Sequence, residues 1–187
     1  MPKSDDAPAW VSGVLAFWFD ELEPKDWFVK SAETDARIVS RFADVHRQVT
    51  DATPESLMGD ARTALAAIIV LDQFSRNMFR DAPAAFASDA KALGLAKAAV
   101  GAGFDRQVAR GERVFFYMPF EHSEVAGDQD TAVAFIAALG DDDFTYYAHA
   151  HRQVIARYGR FPHRNAILGR ESTPEELAYL AEPGSGF

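Results

Sequence analysis

The chain has 187 residues, 28 acidic against 19 basic side chains, a net charge of −9 and no cysteine. That length suits a domain with a self-sufficient core, the acidic balance argues against nonspecific nucleic-acid binding, and the lack of cysteine excludes disulfides, thiolate nucleophiles and cysteine-ligated zinc. The opening Met-Pro-Lys-Ser-Asp-Asp is no basic-then-apolar leader, and no apolar run approaches the roughly 20 residues of a membrane span, so a cytoplasmic protein with no membrane partner is expected.

Trp10, Val11, Val14, Leu15, Trp18 and Phe19 recur at the spacing of an amphipathic helix, with Pro8 suited to its first turn. Residues 20–30, holding Pro24 and Trp27-Phe28, read as a loop tucked onto the core. Ser31 can cap a second helix with the stripe Ile38, Phe42, Val45 and Val49, and Glu33 and Asp35 suit its positive end. Thr53-Pro54-Glu55 starts a short turn that stops near Gly59. Asp60 can cap a central helix running to about Phe79; its stretch from Ala64 to Leu71 is apolar on all sides. Asp81-Ala-Pro83 breaks it.

Ser88 then caps a helix ending at Gly101 or Gly103. Residues 110–118 predict a short helix stopped by Pro119. Asp128 caps a helix ending at Gly140, and Asp142 or Asp143 opens one ending at Gly159. Thr173-Pro-Glu-Glu176 is a capping box with proline at the first helical position, and begins a last helix. No strand pattern and no break in composition intervene. The expectation is one all-α domain over 1–187, built of antiparallel helix hairpins, with irregular tails at 1–7 and 183–187.

Polar residues stand where this pattern wants apolar ones. On a wheel of about 100° per residue, Asp72 and Arg76 continue the stripe of Leu65, Ile68, Ile69 and Phe79, and Gln73 and Asn77 follow one step round. Burying such groups is costly unless they are paired. One reading is an internal Asp72–Arg76 ion pair; the other is that Arg76 or Asn77 faces a pocket, oriented by Asp72. His151 sits likewise among Phe144, Tyr147, Ala148, Ile155 and Tyr158, either as a satisfied core histidine or as an acid/base group.

Residues 149–170 hold five arginines and no acid. Within them, Tyr158 to Asn165 interleaves Arg160, His163, Arg164 and Asn165 with Gly159, Phe161 and Pro162, the pattern of a loop folded over a core with its polar groups held in place. Glu121, His122 and Glu124 make a third cluster, open to three readings: acid/base groups, ion-pair partners for these arginines, or a metal site with His151 and His163. The spacing matches no metal signature, and no metal or cofactor is expected. There is no Gly-x-Ser-x-Gly elbow, phosphate-binding Gly-rich loop or dinucleotide fingerprint.

Phe17-Trp-Phe19, Asp26-Trp-Phe28, Leu71-Asp-Gln-Phe-Ser-Arg-Asn77, Ala85-Phe-Ala-Ser-Asp89, Arg113, Tyr117-Met-Pro-Phe-Glu-His-Ser-Glu124, Tyr158-Gly-Arg-Phe-Pro-His-Arg-Asn165 and Gly169-Arg-Glu-Ser-Thr173 together resemble the bacterial family called domain of unknown function 924. The resemblance spans nearly the whole chain. It implies a tetratricopeptide-like stack of helix hairpins and brings no activity with it. Ser75 departs from it, standing where a proline is expected, so a straighter central helix is predicted there.

The expected function is a polar pocket for a small anionic ligand, carboxylate or phosphate, where the central helix, the 121–124 segment and the 159–172 loop meet. Arg76, Asn77, Arg160, Arg164, Asn165, His122 and Glu124 would bind the ligand; His151 or His163 would exchange a proton, with Asp72, Glu121 or Glu124 orienting the imidazole. The alternative is a scaffold that binds a peptide or protein in a concave surface, with the polar clusters as struts. Oligomeric state is not legible in the sequence.

Overall fold

The computed structural model describes residues 7–186, and every regular element among them is helical. Apart from Ala7, the leading segment 1–7 lies outside the described residues. The chain forms two compact units. One comprises the residues up to Arg80 with Ala84–Pro119, the other Asp81–Pro83 with the residues from Phe120 on. Among the described residues, no helix is long and apolar enough to cross a membrane.

The first unit opens with α1 (Ala9–Ala16), which runs without a break into a wide π-helical turn at Phe17–Glu21. Pro8 stands just before α1, not inside its first turn. α2 (Ala32–Asp51) starts as predicted: Ser31 Oγ accepts the Thr34 amide at 3.2 Å, and Ile38, Phe42 and Val49 are buried. The Asp60 carboxylate accepts the Arg62 and Thr63 amides and so caps α3 (Ala61–Ile68). A second π-helical turn follows at Ile69–Phe74, then α4 (Ser75–Met78). Ser88 precedes α5 (Asp89–Gly101) but makes no side-chain cap bond. α6 (Val114–Glu121) contains Pro119 instead of stopping at it, and the division between units falls inside this helix.

The core of the first unit is aromatic. The Phe74 ring lies 5.0 Å from Phe42, 5.6 Å from Trp18 and 6.0 Å from Phe17, and Trp18 is edge-on to Phe115 at 5.7 Å. Both π turns thus feed rings into one cluster. All six residues of Ile69–Phe74 are buried. The turn widens although no proline is present. Ser75 Oγ lies 3.5 Å from Val70 O, five residues back, and 2.8 Å from His46 Nε2. A side chain on a neighbouring helix therefore supports the widened turn.

In the second unit, α7 (Ala126–Ala137) and α8 (Asp142–Tyr158) are joined by a short turn and pack against each other; their buried apolar residues are Ala132, Ile136, Ala148, Val154 and Ile155, the last two clustered with Phe161. Asp128 lies in the first turn of α7 and does not cap it. α8 opens at Asp142 as expected and is capped by Asp141, which leaves Asp142 and Asp143 in the first turn where the helix dipole favours them. Gly159, at φ 68°, ends α8 in the left-handed conformation that a β-carbon disfavours. α9 (Pro174–Leu180) begins with the reciprocal Thr173–Glu176 capping box.

Candidate functional site

The 159–172 loop of the second unit is built around a tight turn at Pro162–Arg164 and held by two carboxylates. Glu124 accepts both guanidinium nitrogens of Arg170, at 2.8 and 3.0 Å, and the Phe161 amide at 2.8 Å; Arg170 also donates to the Phe161 carbonyl at 3.1 Å. Burial alone would raise the Glu124 carboxyl, but the bonds from Arg170 and the Phe161 N–H outweigh it and hold the group below the usual carboxylate range.

Glu176 serves the other end of the loop. It accepts Arg160 at 2.7 and 2.8 Å, Asn165 at 3.2 Å and the Thr173 amide at 2.7 Å. The bonds from Arg160 dominate and bring its carboxyl down to about 2. Asn165, fully buried, adds a bond to Ser172 Oγ at 3.0 Å. Arg160 and Asn165 are thus engaged with the carboxylate that starts α9.

Phe161 is completely buried and is the hub of the cluster. Its ring lies 5.6 Å from His151 and 5.5 Å from His163, and the Arg164 guanidinium stacks over it at 4.5 Å. The His122 ring is 6.1 Å from His151. Two imidazoles and a guanidinium therefore gather around one phenyl ring, and a third imidazole lies beside His151. His151 and Arg164 are buried, while His122 and His163 reach partway to the surface.

Glu121 Oε1 lies 3.0 Å from His151 Nδ1, and both side chains are at least nine-tenths buried. The Tyr147 carbonyl is 2.9 Å from the same nitrogen. With an acceptor oxygen in each contact, Nδ1 carries the proton and Nε2 is the basic atom of the neutral ring. The backbone bearing Glu121 is itself braced, because Gln129 donates to the Glu121 and Ser123 carbonyls at 2.6 and 2.7 Å and Ser123 donates to Asp128 at 2.8 Å. The apolar setting predicted for His151 holds only in part. Ala148 and Ile155 are buried, whereas Tyr147 is 54% exposed.

Asp72, Arg76 and Asn77 belong to the first unit. Arg76 Nη1 lies 3.0 Å from Asp72 Oδ1, and Arg76 makes two further bonds to Asp89 at 3.0 and 3.1 Å. Gln73 donates to Asp72 at 2.5 Å, and Asn77 to Asp35 at 2.8 Å. The ion pair read from the i, i+4 spacing is present, extended by Asp89.

The ion pairing read between the 121–124 cluster and the C-terminal arginines is present as Glu124–Arg170. Sequence reasoning missed two participants: Phe161 as the hub, and Asp89 as the second partner of Arg76, which lies 13 positions away and carries no local signal. It also missed an open hollow of about 500 Å³ lined by Arg157, Tyr158, Arg160, Thr173, Glu175 and Glu176. Its two guanidinium groups face two carboxylates, so the hollow carries no net charge. Among the described residues, no group of three or more histidine, aspartate or glutamate side chains is placed to hold a metal ion.

A family model described as a bacterial protein of unknown function, DUF924, matches residues 14–184. The chain belongs to this family. The structure of a protein of unknown function from Agrobacterium tumefaciens is 38% identical, with a TM-score of 0.88 over 92% of this chain and 97% of that one. No curated protein matches the chain. The DUF924 match includes all the polar clusters described above, from Asp72 to Glu176.

Proposed function

We propose that the second unit of this DUF924 protein binds a small anionic ligand, a carboxylate or a phosphate, beside Phe161, with His151 as its acid/base group. The observation that carries this reading is the 3.0 Å contact between Glu121 and His151 Nδ1. A carboxylate behind an imidazole fixes the tautomer and stabilises the cation formed when Nε2 takes a proton. His122 and His163 supply donors near the surface, and Arg164 adds positive charge. Glu124, Arg160 and Asn165 act in this reading as positioning groups for the loop. Asp72, Arg76 and Asn77 form a structural network of the first unit. The tetratricopeptide-like stack is part of the same proposal, supported by the α7–α8 pair with its short connection.

The test is titration with inorganic phosphate and with acetate, followed through the imidazole C–H signals in NMR. Saturable shifts at His122 and His163 are expected, abolished by His163→Ala with melting nearly unchanged. Absence of saturable shifts with either anion, together with a large loss of stability in His163→Ala, overturns the reading.

A further inference from the structure

We infer that residues 182–186 form a strap across His163 that shields this imidazole and opens to expose it. The inference rests on reading His163 as a ligand group. After α9 the chain reverses through Gly184, at φ 79°. Ser185 pins the reversal to the end of the helix, its hydroxyl donating to the Leu180 carbonyl at 3.1 Å and its amide to the Glu182 carbonyl at 3.3 Å. The reversal brings Gly186 against the candidate site: a β-carbon on Gly186 would lie 3.7 Å from His163 Cβ, an ordinary contact distance.

The composition of the strap suits movement. Glu182, Pro183, Gly184 and Gly186 are exposed, and the segment buries no large apolar side chain. Opening it sacrifices a few surface hydrogen bonds and little apolar contact, which places it at the low end of local stability. The rest of the site is held differently. Phe161 is fully buried, and its peptide group is gripped by Glu124 and Arg170. A fixed cluster therefore lies beside a light, easily displaced cover.

Two variants test this. Gly184→Val places a β-branched residue at positive φ, where L residues are strained, and should release the turn. Reaction with diethyl pyrocarbonate, read site by site from peptide masses, should then be several-fold faster at His163 and unchanged at the exposed His149. In the second variant, His163→Cys with Gly186→Cys, the only two thiols of a cysteine-free chain stand at a Cβ separation within the disulfide range of about 3.5–4.5 Å. They should join under mild oxidation. An unchanged His163 rate in Gly184→Val, or failure of the thiols to join, overturns the strap. Faster His163 modification with no phosphate binding to either the parent or the valine variant upholds the strap while removing the proposed ligand.

Discussion

Glu124 and Arg170 hold the Phe161 peptide from both of its polar sides. The carboxylate takes the N–H at 2.8 Å, the guanidinium gives to the carbonyl at 3.1 Å, and the two side chains bind each other at 2.8 and 3.0 Å. The ring at the centre of the cluster is thereby set by groups 46 positions apart. Arg170→Ala should cost about 2 kcal/mol, within the range for hydrogen bonds to charged groups. Amide exchange would show Phe161 N–H losing protection before the α7–α8 pair does.

Acid should weaken the same unit through Glu176. Its folded carboxyl sits at about 2 against an ordinary 4.5. A depressed carboxyl contributes stability that is fully present above the ordinary value and is lost as pH falls toward the folded one. Melting temperature should therefore drop between about pH 5 and pH 2, with Glu124 adding to the slope in the same direction. Glu176→Gln should melt lower at neutral pH and show a flatter acid profile; an equally steep profile would assign the acid sensitivity to other carboxylates.

In the first unit, Lys91 reaches the end of α2 and donates to the Val49, Thr50 and Ala52 carbonyls at 2.9, 2.7 and 2.5 Å. An ammonium has three protons, and these carbonyls point from a helix C-terminus, where the dipole favours a cation. Lys91→Met keeps much of the apolar stem and removes all three bonds. A loss of about 2 kcal/mol in urea denaturation is expected, with fraying confined to the last turn of α2.

Asp72 is almost fully buried beside Arg76. Replacing it by alanine should cost about 3 kcal/mol, the lower end of the range for breaking a buried pair, because Asp89 still accepts from Arg76. Adding Arg76→Met to Asp72→Ala should restore part of the loss. A double-mutant cycle reads this directly, and strictly additive losses would show that the two side chains stabilise the unit independently.

The helices were legible because their starts are written locally. Ser31, Asp60 and the Thr173–Glu176 box each cap through a side chain that meets its amide within three residues. The π turns were not legible, since a period of 3.6 cannot be told from a slightly longer one over five or six residues. The wheel around His151 placed Tyr147 with the core, yet it is half exposed, because a wheel gives direction and not the width of the buried arc. Arg160 and Arg164 are four positions apart and meet different fates: one is bound by Glu176, the other lies over Phe161. That difference is decided by partners far along the chain, which spacing does not encode.

A turn that closes five residues back carries one residue more than the α-helix around it requires. Because the surplus residue is taken up inside Ile69–Phe74, deleting one residue there would close the turn to an α-helical one and leave Ser75 beside His46, Arg76 beside Asp89 and Asn77 beside Asp35. Deleting a residue from the regular turns of α3 would instead rotate all that follows by about 100°. The same loss is therefore absorbed at one place in this helix and scatters three contacts at another.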